Sequence, residues 1–327
     1  QAATPSYKVA VVGDSWISGE GLGYYLSGSD TATNKCHRSS YGWTQQVIMP
    51  GQTETIGRLR YLGSSTLALA FTACSGATIP NITNESRFGE APQLGRIPTD
   101  ATHVFLSIGG NDLKFGERVS HCATVGVDCS TEAGFFERIN ASIDYLQADL
   151  MSVLGMIQVR AKSAKIIMTG YARLFSPYNK CWGLINENEA TKFGAAAERL
   201  DRVQAQAVES ARMGGVDVAF VSLLDRFAGH GDCSDSSWIN PLVYNAPTAL
   251  HPDILGHNEI TDLVRGPIAA ATKAAAMKAA GVAMGSATSS IYCGLRSGGC
   301  GQRYEKVTLF WSPATGAHYS SGQILGK

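Results

Sequence analysis

Four short blocks of the chain carry side chains that could do nucleophilic chemistry, and they sit at the ends of aliphatic runs or open a helix. The first, Gly13-Asp14-Ser15, comes straight after Tyr7-Lys-Val-Ala-Val-Val. A serine on the turn leaving a buried strand is exposed at the carboxyl edge of its sheet, and N–H groups of a helix opening there favour developing negative charge. The second block, Cys74-Ser-Gly76, follows Leu-Ala-Leu-Ala-Phe; its glycine lets the backbone approach a ligand and offer an N–H donor. The third, Gly109-Gly110-Asn111-Asp112, follows Val-Phe-Leu-Ser-Ile, and the Asn111 amide could donate to an oxyanion. The fourth is Leu250-His251-Pro252. A histidine on the loop before a helix-starting proline can reach such a serine, and neutral imidazole is the general base a serine requires. Alone, each block is an ordinary turn or a hydrogen-bonded histidine. In order along one chain they are far more specific.

The elements that must position these blocks follow from periodicity. Aliphatic or β-branched runs at 8–13, 67–71, 103–108, 165–169 and 217–222 predict strands. Helical patterns at 133–160 and 186–213, with a last helix over about 252–280, lie between and after them. Strands alternating with helices predict a parallel sheet covered on both faces, with its active site at the carboxyl ends of the strands. The chain from Ser289 on is rich in Gly, Ser and aromatics without helical period, and is too short for an independent core. Domain limits are therefore placed at 1–285 for the main domain and 286–327 for a C-terminal appendage.

Composition narrows the function classes. The chain has 327 residues with 27 basic and 27 acidic side chains, so no basic excess awaits nucleic acid. The apolar stretch at 268–284 is broken by Lys273 and Lys278 and reads as a helix rather than a membrane span. Eight cysteines without a Cys-x-x-Cys pair argue against structural zinc and for disulfides in an oxidising compartment. Cys122–Cys129 and Cys293–Cys300 read as local staples. Cys36, Cys74, Cys181 and Cys233 cannot be paired from sequence, although Cys36–Cys74 and Cys181–Cys233 follow chain order. Sequons at Asn81, Asn84 and Asn140 fit a glycosylated surface, and Gln1 reads as a processed mature terminus. A secreted, extracellular protein is expected.

The Ser-Gly-Asn-His set, in order at successive blocks, resembles the GDSL or SGNH hydrolase superfamily over roughly residues 7–272. GDSWISGEG, ACSGAT and HPDILGH look most like its secreted, disulfide-containing actinomycete and fungal esterases and lipases. The resemblance implies a three-layer α/β/α, flavodoxin-like fold with a central parallel sheet, and carboxylic ester hydrolysis with no metal and no cofactor. Carried over, Ser15 is the nucleophile and His251 its general base and later acid. The N–H groups of Ser15 and Gly76, with the Asn111 side chain, form the oxyanion hole, and a Cys36–Cys74 bridge braces the loop before Gly76. One position departs from the pattern. The superfamily places Asp three residues before the histidine, where this chain has Thr248. A backbone carbonyl, of Thr248 or Trp238, is expected to orient His251 instead, giving a Ser–His dyad. The stretch Trp311-Ser-Pro-Ala-Thr-Gly-Ala-His318 is similar to the core of LGFP repeats, which implies contact with a cell wall or polysaccharide.

The chain contains no Gly-x-Ser-x-Gly elbow and no His-Glu-x-x-His, and Gly19-Glu-Gly21-Leu-Gly23 lacks the spacing of a dinucleotide loop. The expected function is a secreted serine esterase acting on short-chain or carbohydrate-linked acyl esters. The alternatives are a lipase or phospholipase A, and a glycan- or wall-binding protein on an inactive scaffold.

Overall fold

A computed structural model of the chain describes residues 7–176, 184–243, 248–285, 288–289, 292–295, 299–312 and 316–321. Five parallel strands form the main sheet: β1 (Tyr7–Gly13), β2 (Leu67–Phe71), β3 (His103–Ser107), β4 (Lys165–Thr169) and β5 (Val218–Val221). Their order is β2-β1-β3-β4-β5. β3 and β4 are buried along their whole length, whereas the edge strand β2 is half-buried throughout. Central strands need apolar residues on both faces, so they appear in the sequence as unbroken aliphatic runs. The order reverses direction beside β1 and β3, and the crevice outside their carboxyl ends is where such sheets bind ligands.

Two long helices, α6 (Phe135–Arg160) and α7 (Glu187–Met213), pack on each other. Near the other end of the connectivity, the short α2 (Trp43–Gln46) packs on α8 (Ile254–Ala279). That second contact is sealed by hydrogen bonds. The Trp43 amide donates to Nδ1 of the buried His257 at 3.1 Å, and the Thr261 hydroxyl donates to the Trp43 carbonyl at 3.2 Å. The architecture is the three-layer α/β/α arrangement expected. The expected helix start at 133 moves to Phe135 because Gly134, at φ 74°, caps it in the left-handed region. The last helix begins at Ile254, because Pro252 is held in a β-bridge with Ile239. Helices α1 (Ser15–Ser18), α3 (Ile56–Tyr61), α4 (Ile79–Thr83) and α5 (Phe115–Cys122) are too short to announce themselves by period.

The C-terminal appendage is a four-stranded antiparallel sheet, β6 (Tyr292–Leu295), β7 (Gly299–Arg303), β8 (Val307–Ser312) and β9 (Gly316–Ser321). It docks on α8. A side chain at Gly266 would come within 2.5 Å of Cys300 Sγ and 3.2 Å of the Trp311 ring, so only glycine lets strand and helix meet. Cys36 is bonded to Cys74 and Cys122 to Cys129. Cys233 and Cys300 are also disulfide-bonded, while Cys181 and the Cys293 side chain lie outside the described residues. The three sequons differ in their surroundings. Asn81 is 8% exposed, and its side-chain oxygen accepts from the Thr78 amide and hydroxyl, both at 3.0 Å, to close the N-terminus of α4. It serves as a helix cap, whereas Asn84 is exposed and Asn140 half-buried.

Candidate active site

Strand β1 ends on a close backbone approach. At Gly13, φ is 132° and any Cβ would lie 2.0 Å from the Ser107 carbonyl oxygen. The next amide, of Asp14, donates to that same oxygen at 3.0 Å. The Gln93 side chain clamps Gly13 from the side, accepting its N–H at 2.7 Å and donating to its carbonyl at 3.0 Å. With the strand end fixed, Asp14 caps α1 by accepting from the Trp16 amide at 3.0 Å, and Ser15 becomes the first helical residue. The Ser15 carbonyl receives the amides of Gly19 and Glu20, at 3.2 and 3.1 Å. The serine backbone is thus pinned from both sides.

Ser15, Asn111 and His251 line one cavity of about 250 Å³. Its other walls are mostly apolar, including Trp16, Phe115, Leu174, Leu184, Leu200 and Leu242. Asn111 donates one amide hydrogen to the Ala77 carbonyl at 3.0 Å, and the neighbouring Asp112 accepts the Ile79 amide at 3.0 Å. These bonds tie the loop after β3 to the loop after β2, so the Gly76 segment is fixed relative to Asn111. Gly76 itself, at φ 71°, is not among the cavity walls. The Arg87 guanidinium packs over it, close enough that a Cβ at Gly76 would lie 2.1 Å from Nη2. The structure therefore brings three of the four expected residues to one cavity and sets the fourth beside it.

His251 is held by its backbone. Its carbonyl accepts the Asn240 amide and side chain at 2.8 and 3.2 Å, and Leu250 before it takes a φ of 60°. A left-handed leucine is a strained choice, of the kind that clusters at functional positions. Burial pushes the His251 pKa below its ordinary 6.5, partly opposed by Glu20 and by the carbonyls of Thr248 and Ala249. A ring kept neutral is suited to accept a proton. Among the described residues Nδ1 makes no hydrogen bond of ordinary geometry, while the carbonyls of Thr248, which accepts the His251 amide at 3.4 Å, and of Ala249 lie close enough to the ring to raise its pKa. The Trp238 carbonyl, the other expected orienter, accepts the Asp253 amide at 2.9 Å. Among the described residues, no hydrogen bond joins the Ser15 hydroxyl to the His251 ring. Such bonds commonly tighten only once substrate is bound.

Two residues of the site escaped the sequence reading. Tyr171, just past β4, donates its hydroxyl to Asp14 at 2.5 Å and accepts the Gly110 amide at 3.0 Å, linking the Ser15 turn to the Asn111 turn. Burial raises the Asp14 pKa from 3.8 to about 7, against the lowering effect of the Tyr171 and Trp16 bonds. The rule that found Ser15, a polar residue just beyond a buried strand, applies equally to Tyr171. Glu20 is the second. It is 1% exposed, a burial that nothing in a Gly-rich turn announces.

Comparison with known proteins gives the geometry its relatives. The sequence profile of the GDSL-like Lipase/Acylhydrolase family matches residues 11–258, and that of the LGFP repeat matches residues 284–327. A lipase of Streptomyces rimosus is 27% identical over 252 residues, covering 76% of this chain and 81% of its own. Lipase 1 of Streptomyces coelicolor is 27% identical over 265 residues, covering 79% of this chain and 86% of its own. The crystal structure of an extracellular lipase from S. rimosus superposes with a TM-score of 0.62 at 25% identity, over 77% of this chain and 95% of that one. Phospholipase A1 from Streptomyces albidoflavus NA297 superposes at 0.61, with the same identity and coverage.

Proposed function

The chain belongs to the GDSL-like lipase/acylhydrolase family and is a carboxylic ester hydrolase; from that premise we propose that it cleaves lipid-type esters, with Ser15 as nucleophile and His251 as the base of a Ser–His dyad. The Ser15 Oγ attacks the acyl carbon while its proton passes to His251. Charge on the former carbonyl oxygen is met by the N–H groups of Ser15 and Gly76 and the Asn111 amide. Collapse of the tetrahedral species expels the alcohol, which takes the proton from His251 and leaves the acyl group on Ser15. A water then gives its proton to His251 and attacks the acyl-enzyme, and the acid departs as Ser15 recovers its hydrogen.

The observation that carries the lipid reading over a purely short-chain one is the apolar cavity beside Ser15. An aliphatic chain entering it buries roughly 0.8 kcal/mol per methylene, whereas an acetyl group would leave most of it unused. The names of the relatives, lipases and a phospholipase A1, point the same way. The LGFP match supports a wall- or polysaccharide-facing role for the appendage, and the disulfides together with the extracellular S. rimosus relative support secretion. Among the described residues no helix is long and apolar enough to cross a membrane.

The test is hydrolysis of p-nitrophenyl esters from acetyl to palmitoyl by wild type and Ser15→Ala. The proposal expects the highest kcat/KM at chains longer than butyryl, and no turnover by the variant. Activity confined to acetyl esters would overturn the lipid reading. Substantial hydrolysis by Ser15→Ala would overturn the nucleophile.

A further inference from the structure

A serine hydrolase base needs something to stabilise its imidazolium as it forms, and the usual carboxylate position holds Thr248. Another buried carboxylate, that of Glu20, belongs to the segment that packs against His251. Glu20 follows the Ser15 helix, its amide bonded to the Ser15 carbonyl at 3.1 Å. The next residue, Gly21, packs directly on the histidine. A Cβ there would lie 3.6 Å from His251 Cβ and 3.4 Å from the Thr248 carbonyl oxygen. Glu20 is buried, and its oxygens are held separately. Oε1 accepts the Tyr25 hydroxyl at 3.0 Å and Oε2 accepts Nδ1 of His37 at 2.6 Å. The Tyr25 ring stacks on His37 with centroids 4.4 Å apart, so both donors are fixed by one packing arrangement. A buried acid held this way is an engaged, oriented charge rather than a surface one, and buried charges are screened far less than exposed ones.

We propose that Glu20 replaces the missing carboxylate at a distance: without bonding to the ring, its buried negative charge stabilises the imidazolium of His251 during proton transfer. Glu20 is thus a positioning residue, acting through His251 and touching neither the substrate nor the reacting atoms. The inference rests on the assignment of His251 as base.

The charges around the pair are few. Facing His251 are Glu20 itself, the buried His257 of α8, whose pKa is driven down to about 3 so that it carries no charge, and Asp14 across the cavity. Facing Glu20 are Tyr25, whose pKa is pushed up to about 12, and His37, which also touches Asp30 at 3.4 Å, itself paired with Lys35. Removing the Glu20 charge should make the His251 cation harder to form. The acid limb of kcat/KM, which reports that ionisation in the free enzyme, then moves to lower pH, and kcat on the plateau falls.

The experiment measures pH profiles of kcat and kcat/KM on one p-nitrophenyl ester for wild type, Glu20→Gln, Glu20→Asp, Tyr25→Phe and His251→Ala, with urea unfolding of each. Glu20→Gln is expected to lower the acid limb by about one pH unit and kcat by about tenfold. Glu20→Asp, which keeps the charge, restores both most of the way. Tyr25→Phe keeps the charge and removes a donor that offsets it, so its acid limb moves to higher pH; this variant decides the matter if Glu20→Gln does not fold. An unmoved acid limb in Glu20→Gln, or a loss shared equally by Glu20→Asp, overturns the proposal while leaving His251 as base. Full activity in His251→Ala removes the base assignment, and the Glu20 proposal falls with it.

Discussion

Replacing Asp14 with asparagine separates the burial of this carboxyl from every other source of pH dependence. Asp14 is 1% exposed, and burial lifts its pKa from 3.8 to about 7. An acid whose pKa is higher folded than unfolded holds its proton more tightly in the native state. Its contribution to stability is therefore complete below about pH 4 and is lost as the pH rises through 7. A shift of roughly three units at 1.36 kcal/mol each corresponds to about 4 kcal/mol. That is a large share of the 5–15 kcal/mol typical of a whole domain. Asp14→Asn keeps the shape and cannot ionise. Urea unfolding of both proteins between pH 4 and 8.5 should show the stability difference swinging toward the variant by about 4 kcal/mol. Asp201, raised by burial to about 6, titrates in both proteins and cancels in the difference. A difference that stays flat across this range would refute the reasoning, since it would mean that Asp14 ionises as easily folded as unfolded.

Gly76→Ala should lower kcat on esters by about a hundredfold, because the added Cβ meets Arg87 at 2.1 Å in a left-handed backbone and displaces the N–H donor; unchanged steady-state kinetics would remove Gly76 from the oxyanion hole. Ala197→Phe fills part of the cavity and should move the optimum of the ester series to shorter chains, by about fourfold in kcat/KM per methylene excluded. Cys36→Ser with Cys74→Ser opens a link spanning 38 residues and should cost about 4 kcal/mol in urea unfolding. A cost below about 1 kcal/mol would show that the loop before Gly76 is held without it.

The main sheet was legible because each of its strands is a continuous apolar run, and continuity survives without knowledge of the partner. Strand β2 matched residue for residue, and β4 likewise. The site was legible where it follows the strands: Ser15 and Asn111 sit just past buried ends, and His251 precedes the last helix. What the sequence did not disclose depends on contacts between distant segments. Tyr171 meets Asp14 across 157 positions, and Gln93 clamps Gly13 across 80. Tyr171's place just past β4 marks it as a candidate without naming its partner, and nothing local marks Gln93. Asn81 closes a helix end, which the three residues of its sequon do not describe. The strands of the C-terminal sheet are short, Gly-rich and without clear alternation, and so gave no period to read.

Ser15 stands near the start of the main domain and His251 near its end, and the contact of α2 with α8 joins those two regions only when the last helix docks. A ribosome delivers these parts far apart in time: the nucleophile emerges early, and its base more than 200 residues later. Until α8 closes, the serine has an ordinary alcohol's reactivity, because nothing takes its proton. On the assignment proposed above, hydrolytic power requires the segment preceding α8 to be seated beside Ser15. A chain in which α8 has not docked then carries Ser15 without its base, and the appearance of ester hydrolysis reports that the two ends of the main domain have met.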